Sequence, residues 1–90
     1  MIGVYINWPA LTTDQYHSIT AKIQEEGISE TGLKVHTCFK ESGDALAIFD
    51  VWESEEAFNS FGAQLAALVA RLGLPAATPH LVEMVGFALG

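Results

Sequence analysis

The chain opens on a compact apolar run, residues 2–7 (IGVYIN), halted by Trp8-Pro9. Proline has no N–H and holds the preceding residue extended, so the run predicts a strand that ends cleanly there. The apolar spacing then becomes helical: Tyr16, Ile19 and Ile23 share one face of a helix running to about Glu26. Thr12 is its N-cap, Gln15 completes a capping box, Leu11 and Tyr16 take the two staple positions, and Gly27 follows the C-cap. Residues 32–40 (GLKVHTCFK) and 45–53 (ALAIFDVWE) predict two strands joined by Glu41-Ser42-Gly43-Asp44, a hairpin signal. Ser54 caps a second helix with Phe58, Phe61, Leu65, Leu68 and Leu72 on its stripe. Arg71, Gly73, Leu74 and Pro75 end it, and a last strand follows over residues 80–89 (HLVEMVGFAL).

The order β-α-β-β-α-β predicts an α+β chain of the ferredoxin-like, split βαβ kind: a four-stranded antiparallel sheet with both helices on one face, residues 1–90 forming a single domain. Such a sheet should alternate apolar-in and polar-out, and these strands do not. The third has Phe49 and Val51 on one face and Leu46, Ile48 and Trp52 on the other; the last has Val82, Met84 and Ala88 against Leu81, Val85 and Phe87. A second copy of the chain is the simplest cover for the surplus apolar face, so a homodimer is expected.

Register decides what that second face carries. With Gly43 left-handed at the end of a three-residue loop, Lys40 pairs with Asp44. Leu33, Val35, Thr37, Phe39, Ala47, Phe49 and Val51 then point at the helices. His36, Cys38, Asp50 and Trp52 line the opposite face with Tyr5, Asn7 and Glu83, while Val4 and Ile6 face the helices.

Charge and cysteine content narrow the chemistry. Eleven acidic residues against Lys22, Lys34, Lys40 and Arg71 give a formal charge of −7, with no basic stripe for nucleic acid or an anionic membrane surface. The same balance disfavours anionic substrates unless a local lysine overrides it. One cysteine, Cys38, excludes an internal disulfide; with no signal-peptide pattern and no span-length apolar stretch, a cytoplasmic setting is expected. No His/Cys/Asp/Glu set has metal-ligand spacing and no glycine-rich loop precedes a helix, so neither metal nor other cofactor is expected.

Val51-Trp52-Glu53-Ser54-Glu55-Glu56-Ala57-Phe58 resembles the V-W-x-S-x-x-A-F junction between third strand and second helix of the dimeric α/β-barrel proteins, relatives of the antibiotic-biosynthesis monooxygenases. Gly32-Leu33-x-x-His36 resembles the start of strand two in small, mostly uncharacterised members. The resemblance implies a dimer with facing sheets and a ligand cavity, in a superfamily of cofactor-independent oxygenases acting on electron-rich aromatic rings, haem-degrading enzymes, isomerases, cyclases and plain binding proteins. Asn7 fits the asparagine of the haem-degrading branch, but Phe61 and Arg71 stand where its tryptophan and histidine belong, which argues against haem degradation.

His36 and Asp50 are the candidate catalytic pair: an imidazole able to take a phenolic or activated C–H proton, and a carboxylate that orients it. The bland alternative is a half-buried strand histidine and a carboxylate that satisfies a backbone or interface donor. Tyr5 and Asn7 are candidate hydrogen-bonding partners for a substrate oxygen, and Trp52 a wall for an aromatic ligand; each could as well serve packing or a turn. The expectation is an enzyme of the cofactor-independent monooxygenase, isomerase or cyclase kind acting on an apolar or aromatic small molecule. The alternatives are a non-catalytic binding module and a structural dimer.

Overall fold

The structure, a computed structural model, describes residues 1–90. Strand β1 (Ile2–Trp8) leads into helix α1 (Thr13–Glu25); β2 (Leu33–Ser42) and β3 (Ala45–Trp52) form a hairpin; helix α2 (Glu55–Arg71) and β4 (Pro79–Glu83) complete the chain. The antiparallel sheet has the order β2-β3-β1-β4, with β1 and β3 central. No helix is long and apolar enough to cross a membrane.

Both helices begin and end on local sequence signals. The Thr12 hydroxyl accepts from the Gln15 backbone N–H (3.1 Å), and the Gln15 side chain accepts from the Thr12 N–H (2.9 Å). The Ser54 hydroxyl accepts from Ala57 N–H at 3.1 Å. Each helix stops at a glycine with positive φ, Gly27 (65°) and Gly73 (67°). The next residue's N–H then reaches back to the third-last helical carbonyl, Ile28 to Ile23 and Leu74 to Val69. Ile28 and Leu74 pack on the core, so each helix end is also an apolar contact.

The core lies between the sheet and the helices. Val4, Ile6 and Trp8 of β1 and Leu46, Ile48 and Trp52 of β3 form the sheet side; Ile19, Ile23, Phe58, Phe61, Leu68 and Val69 form the helix side. Trp52 is completely buried and its ring contacts Phe58 and Phe61, with centroids 5.8 Å and 5.1 Å away.

The expected facing of the hairpin is inverted. His36, Cys38, Leu46, Ile48, Asp50 and Trp52 look toward the helices, whereas Val35, Thr37, Phe39, Ala47, Phe49 and Val51 look away. Pairing with β1 sets this: Val4 lies opposite Asp50, Ile6 opposite Ile48 and Trp8 opposite Leu46, so these β3 residues share the helix-facing side of β1. In β2 a bulge, with Leu33 opposite Trp52 and Val35 opposite Val51, leaves Lys34 as an extra residue. The bulge lets Leu33 pack on the core, as expected, on the same side as His36 and Cys38. A second irregularity at Glu41 makes Lys40 pair with Leu46 rather than Asp44, with Ser42 opposite Ala45. That shift is of two residues and leaves the facing unchanged.

Strand β4 is shorter than expected, ending at Glu83, and it too is inverted. Leu81 and Glu83 pair with Val4 and Ile2 on the helix side, while Val82 pairs with Gly3 on the outer side. Gly3 leaves space on that outer face: a Cβ there would lie 2.9 Å from Met84 Sδ and from Phe49 Cζ.

Candidate functional site

Direct cross-strand pairing places His36 opposite Asp50, and His36 Nδ1 lies 2.7 Å from Asp50 Oδ1. The other Asp50 oxygen accepts from Trp52 Nε1 at 3.3 Å, two residues along the same strand face. Asp50 is only 5% exposed, so these two donors offset the cost of removing a carboxylate from water. From helix α1, the Tyr16 hydroxyl meets His36 Nε2 at 2.5 Å. A hydrogen-bonded line thus runs Trp52, Asp50, His36, Tyr16, from the core to the underside of α1.

Two polarities of this line follow from the partners. When His36 is neutral, Nδ1–H donates to Asp50, and Nε2 accepts the Tyr16 proton. When it is protonated, Nε2–H donates to Tyr16 instead, which frees the phenol O–H to donate elsewhere. The hydrogen bond to Asp50 raises the His36 pKa above its ordinary 6.5, against the opposing effect of burial, and the charges of Asp50 and Glu30 add to the rise. Burial raises the Tyr16 pKa above 10.0, helped by Cys38, Asp50 and Glu30, so the phenol stays protonated at neutral pH.

The line borders a cavity of about 450 Å³ between sheet and helices, lined by Tyr16, Glu30, His36, Asp50, Ile48 and Phe61 among others. A neighbouring cavity of about 380 Å³ lies between β1, α2 and the segment leading to β4. Ile6, Trp8, Phe58 and Leu65 line both. The second is almost wholly apolar; Gly62 lines it, with room for a Cβ 3.4 Å from the Phe58 ring.

The five expected site residues do not converge. His36 and Asp50 border the cavity, but on the helix side of the sheet. Trp52 touches Asp50 yet is core and lines neither cavity; the indole that does is Trp8, fixed by its Nε1 donating to the Pro75 carbonyl at 2.8 Å. Tyr5 and Asn7 lie on the opposite face, where the Tyr5 hydroxyl donates to Glu41 Oε2 and Asn7 Nδ2 donates to Glu41 Oε1 at 2.6 Å. Glu41 gains that reach from the irregularity beside Lys40, and crosses β3 at Ala47, which is completely buried. Sequence reasoning gave Tyr16 only apolar roles, on the stripe of α1 and at a staple position. A hydroxyl on a stripe otherwise made of Ile19 and Ile23 needs a buried partner, and that was the available signal.

No protein-family profile matches the chain, and no curated protein does. Solved structures do. A protein of unknown function, NE2512 from Nitrosomonas europaea, superposes with TM-score 0.73 at 16% identity, covering 99% of this chain and 93% of that one. A monooxygenase from the gene ActVA-Orf6 of Streptomyces coelicolor, in complex with the ligand Nanaomycin D, gives TM-score 0.65 at 22% identity over 99% and 91%. SnoaB, a cofactor-independent oxygenase from Streptomyces nogalater, gives 0.64 at 19% over 96% and 93%. The chain therefore has the ferredoxin-like α+β fold of the antibiotic-biosynthesis-monooxygenase-like proteins.

Proposed function

We propose that the chain is an acid–base enzyme of the cofactor-independent oxygenase kind, acting on an apolar, hydroxylated aromatic small molecule held between sheet and helices. The observation that carries this reading is the Asp50–His36–Tyr16 line bordering a cavity of about 450 Å³. A substrate hydroxyl or activated C–H gives its proton to Tyr16 while the Tyr16 proton passes to His36 Nε2. The imidazolium that results faces Asp50. The substrate anion left behind is electron-rich, and dioxygen is the oxidant; with an anthrone, one oxygen atom converts the methylene to a carbonyl and the other leaves as water. Fold alone does not choose a reaction, and the reading rests on the side chains.

Oxygen uptake with an anthrone as probe tests it. Tyr16→Phe and His36→Gln should each lower kcat by about 10²-fold or more, as loss of a general acid–base group does. Unchanged turnover in both variants, or tight binding of the probe without oxygen uptake by the wild type, would overturn the enzymatic reading.

We also infer a homodimer formed through the outer face of the sheet. Phe39 (41% exposed) and Val82 (46%) stand there with the partly exposed Val35 and Phe49. In that assembly the cavity, on the opposite side, stays open to ligand.

A further inference from the structure

The −7 charge of the chain leaves open whether a local cation serves the cavity, and the structure allows that to be answered residue by residue. Lys22 pairs with Glu25 on α1 at 3.3 Å, Lys40 with Asp44 in the hairpin at 3.4 Å, and Arg71 with Glu26 at 2.7 Å. Lys34 is the exposed bulge residue of β2. None of the four lines either cavity. The acidic and imidazole side chains that do are Glu30, Asp50, His36 and His17, and His36 is held by Asp50. Glu30 is exposed, in the segment joining α1 to β2, and lines the cavity at its solvent-facing rim. Its side chain has no hydrogen-bonded or ionic partner to neutralise it; only its backbone carbonyl is engaged, by Leu33 N–H at 3.0 Å.

We propose that Glu30 is a specificity-determining residue that restricts the cavity to uncharged hydroxylated aromatics and excludes their carboxylate and phosphate counterparts. The proposal rests on the ligand site inferred above. A carboxylate entering would lose hydration against a rim of its own sign and find no lysine or arginine inside, only an imidazole already paired with Asp50, whereas a neutral hydroxyl finds Tyr16 and an apolar wall of Ile6, Trp8 and Phe58. The apolar second cavity behind that wall offers an anion nothing further.

The test is equilibrium dialysis of the intact protein with 2-naphthol and 2-naphthoate, a pair of similar shape differing in charge. The wild type should bind naphthol at least tenfold more tightly. Glu30→Lys should raise naphthoate affinity to within about threefold of that for naphthol. Equal affinities in the wild type, or a naphthoate affinity that Glu30→Lys leaves unmoved, would overturn the charge filter while leaving a ligand site standing. Failure of both probes to bind at millimolar concentration would overturn the ligand site and the filter with it.

Discussion

Asp50 is the one buried charged side chain, and its position is tolerated only because His36 and Trp52 both donate to it. Removing the imidazole in His36→Ala should cost about 1–3 kcal/mol of unfolding free energy, because one buried oxygen loses its partner. The pH dependence has a definite sign. A folded-state pKa raised above 6.5 means that the folded protein holds the His36 proton more tightly than the unfolded chain does. The extra stability is fully present below about pH 6.5 and is lost as pH rises through the raised value. Turnover should run the other way, since Nε2 accepts a proton only when His36 is neutral. Urea midpoints of wild type and His36→Gln should therefore converge with rising pH as wild-type kcat climbs; parallel midpoints would refute the coupling.

Among elements, the helices are set locally and the hairpin is not. Thr12→Ala removes an acceptor from the first turn of α1 and should cost about 1 kcal/mol. Gly73→Ala forces a Cβ into a left-handed residue and should cost about 1 kcal/mol as well. Chemical unfolding of the two single variants and their double measures both costs, and near-additive losses are expected because the sites lie at ends of different helices. The β2–β3 hairpin depends instead on two irregularities, at Lys34 and Glu41, and neither carries the glycine or proline that would advertise it.

At the scale of the molecule, the sheet has two unlike faces. The helix side holds the core and the cavities; the outer side carries Phe39, Val82, Phe49 and Val35 around the Tyr5–Asn7–Glu41 cluster. Phe39→Lys and Val82→Lys should each shift the protein from dimer to monomer in sedimentation at micromolar concentration, because an unpaired ammonium would be buried between sheets. Leu81, an apparent outer-face residue from strand alternation, lies on the helix side at the sheet edge, and Leu81→Lys should leave the dimer intact. A monomeric wild type would refute the assembly.

Element order, helix caps, the facing of β1 and the sharing of one strand face by His36 and Asp50 were all legible in the sequence. Each rests on short-range rules: proline after Trp8, hydroxyls at Thr12 and Ser54, glycines at 27 and 73, and an odd histidine and carboxylate among apolar strand residues. Which side of the sheet His36 and Asp50 would occupy was not legible, because it follows from the pairing of β3 with β1, where Val4 lies opposite Asp50, and those strands are far apart in the chain. Both hairpin faces are apolar enough to pass for core, so composition could not correct the error. Tertiary structure settled it by bringing Tyr16 from α1 onto His36, separating Tyr5 and Asn7 to the far face, and putting Trp8 rather than Trp52 beside the cavity. Those contacts join residues distant in the chain, and only the packing of helix on sheet fixes them.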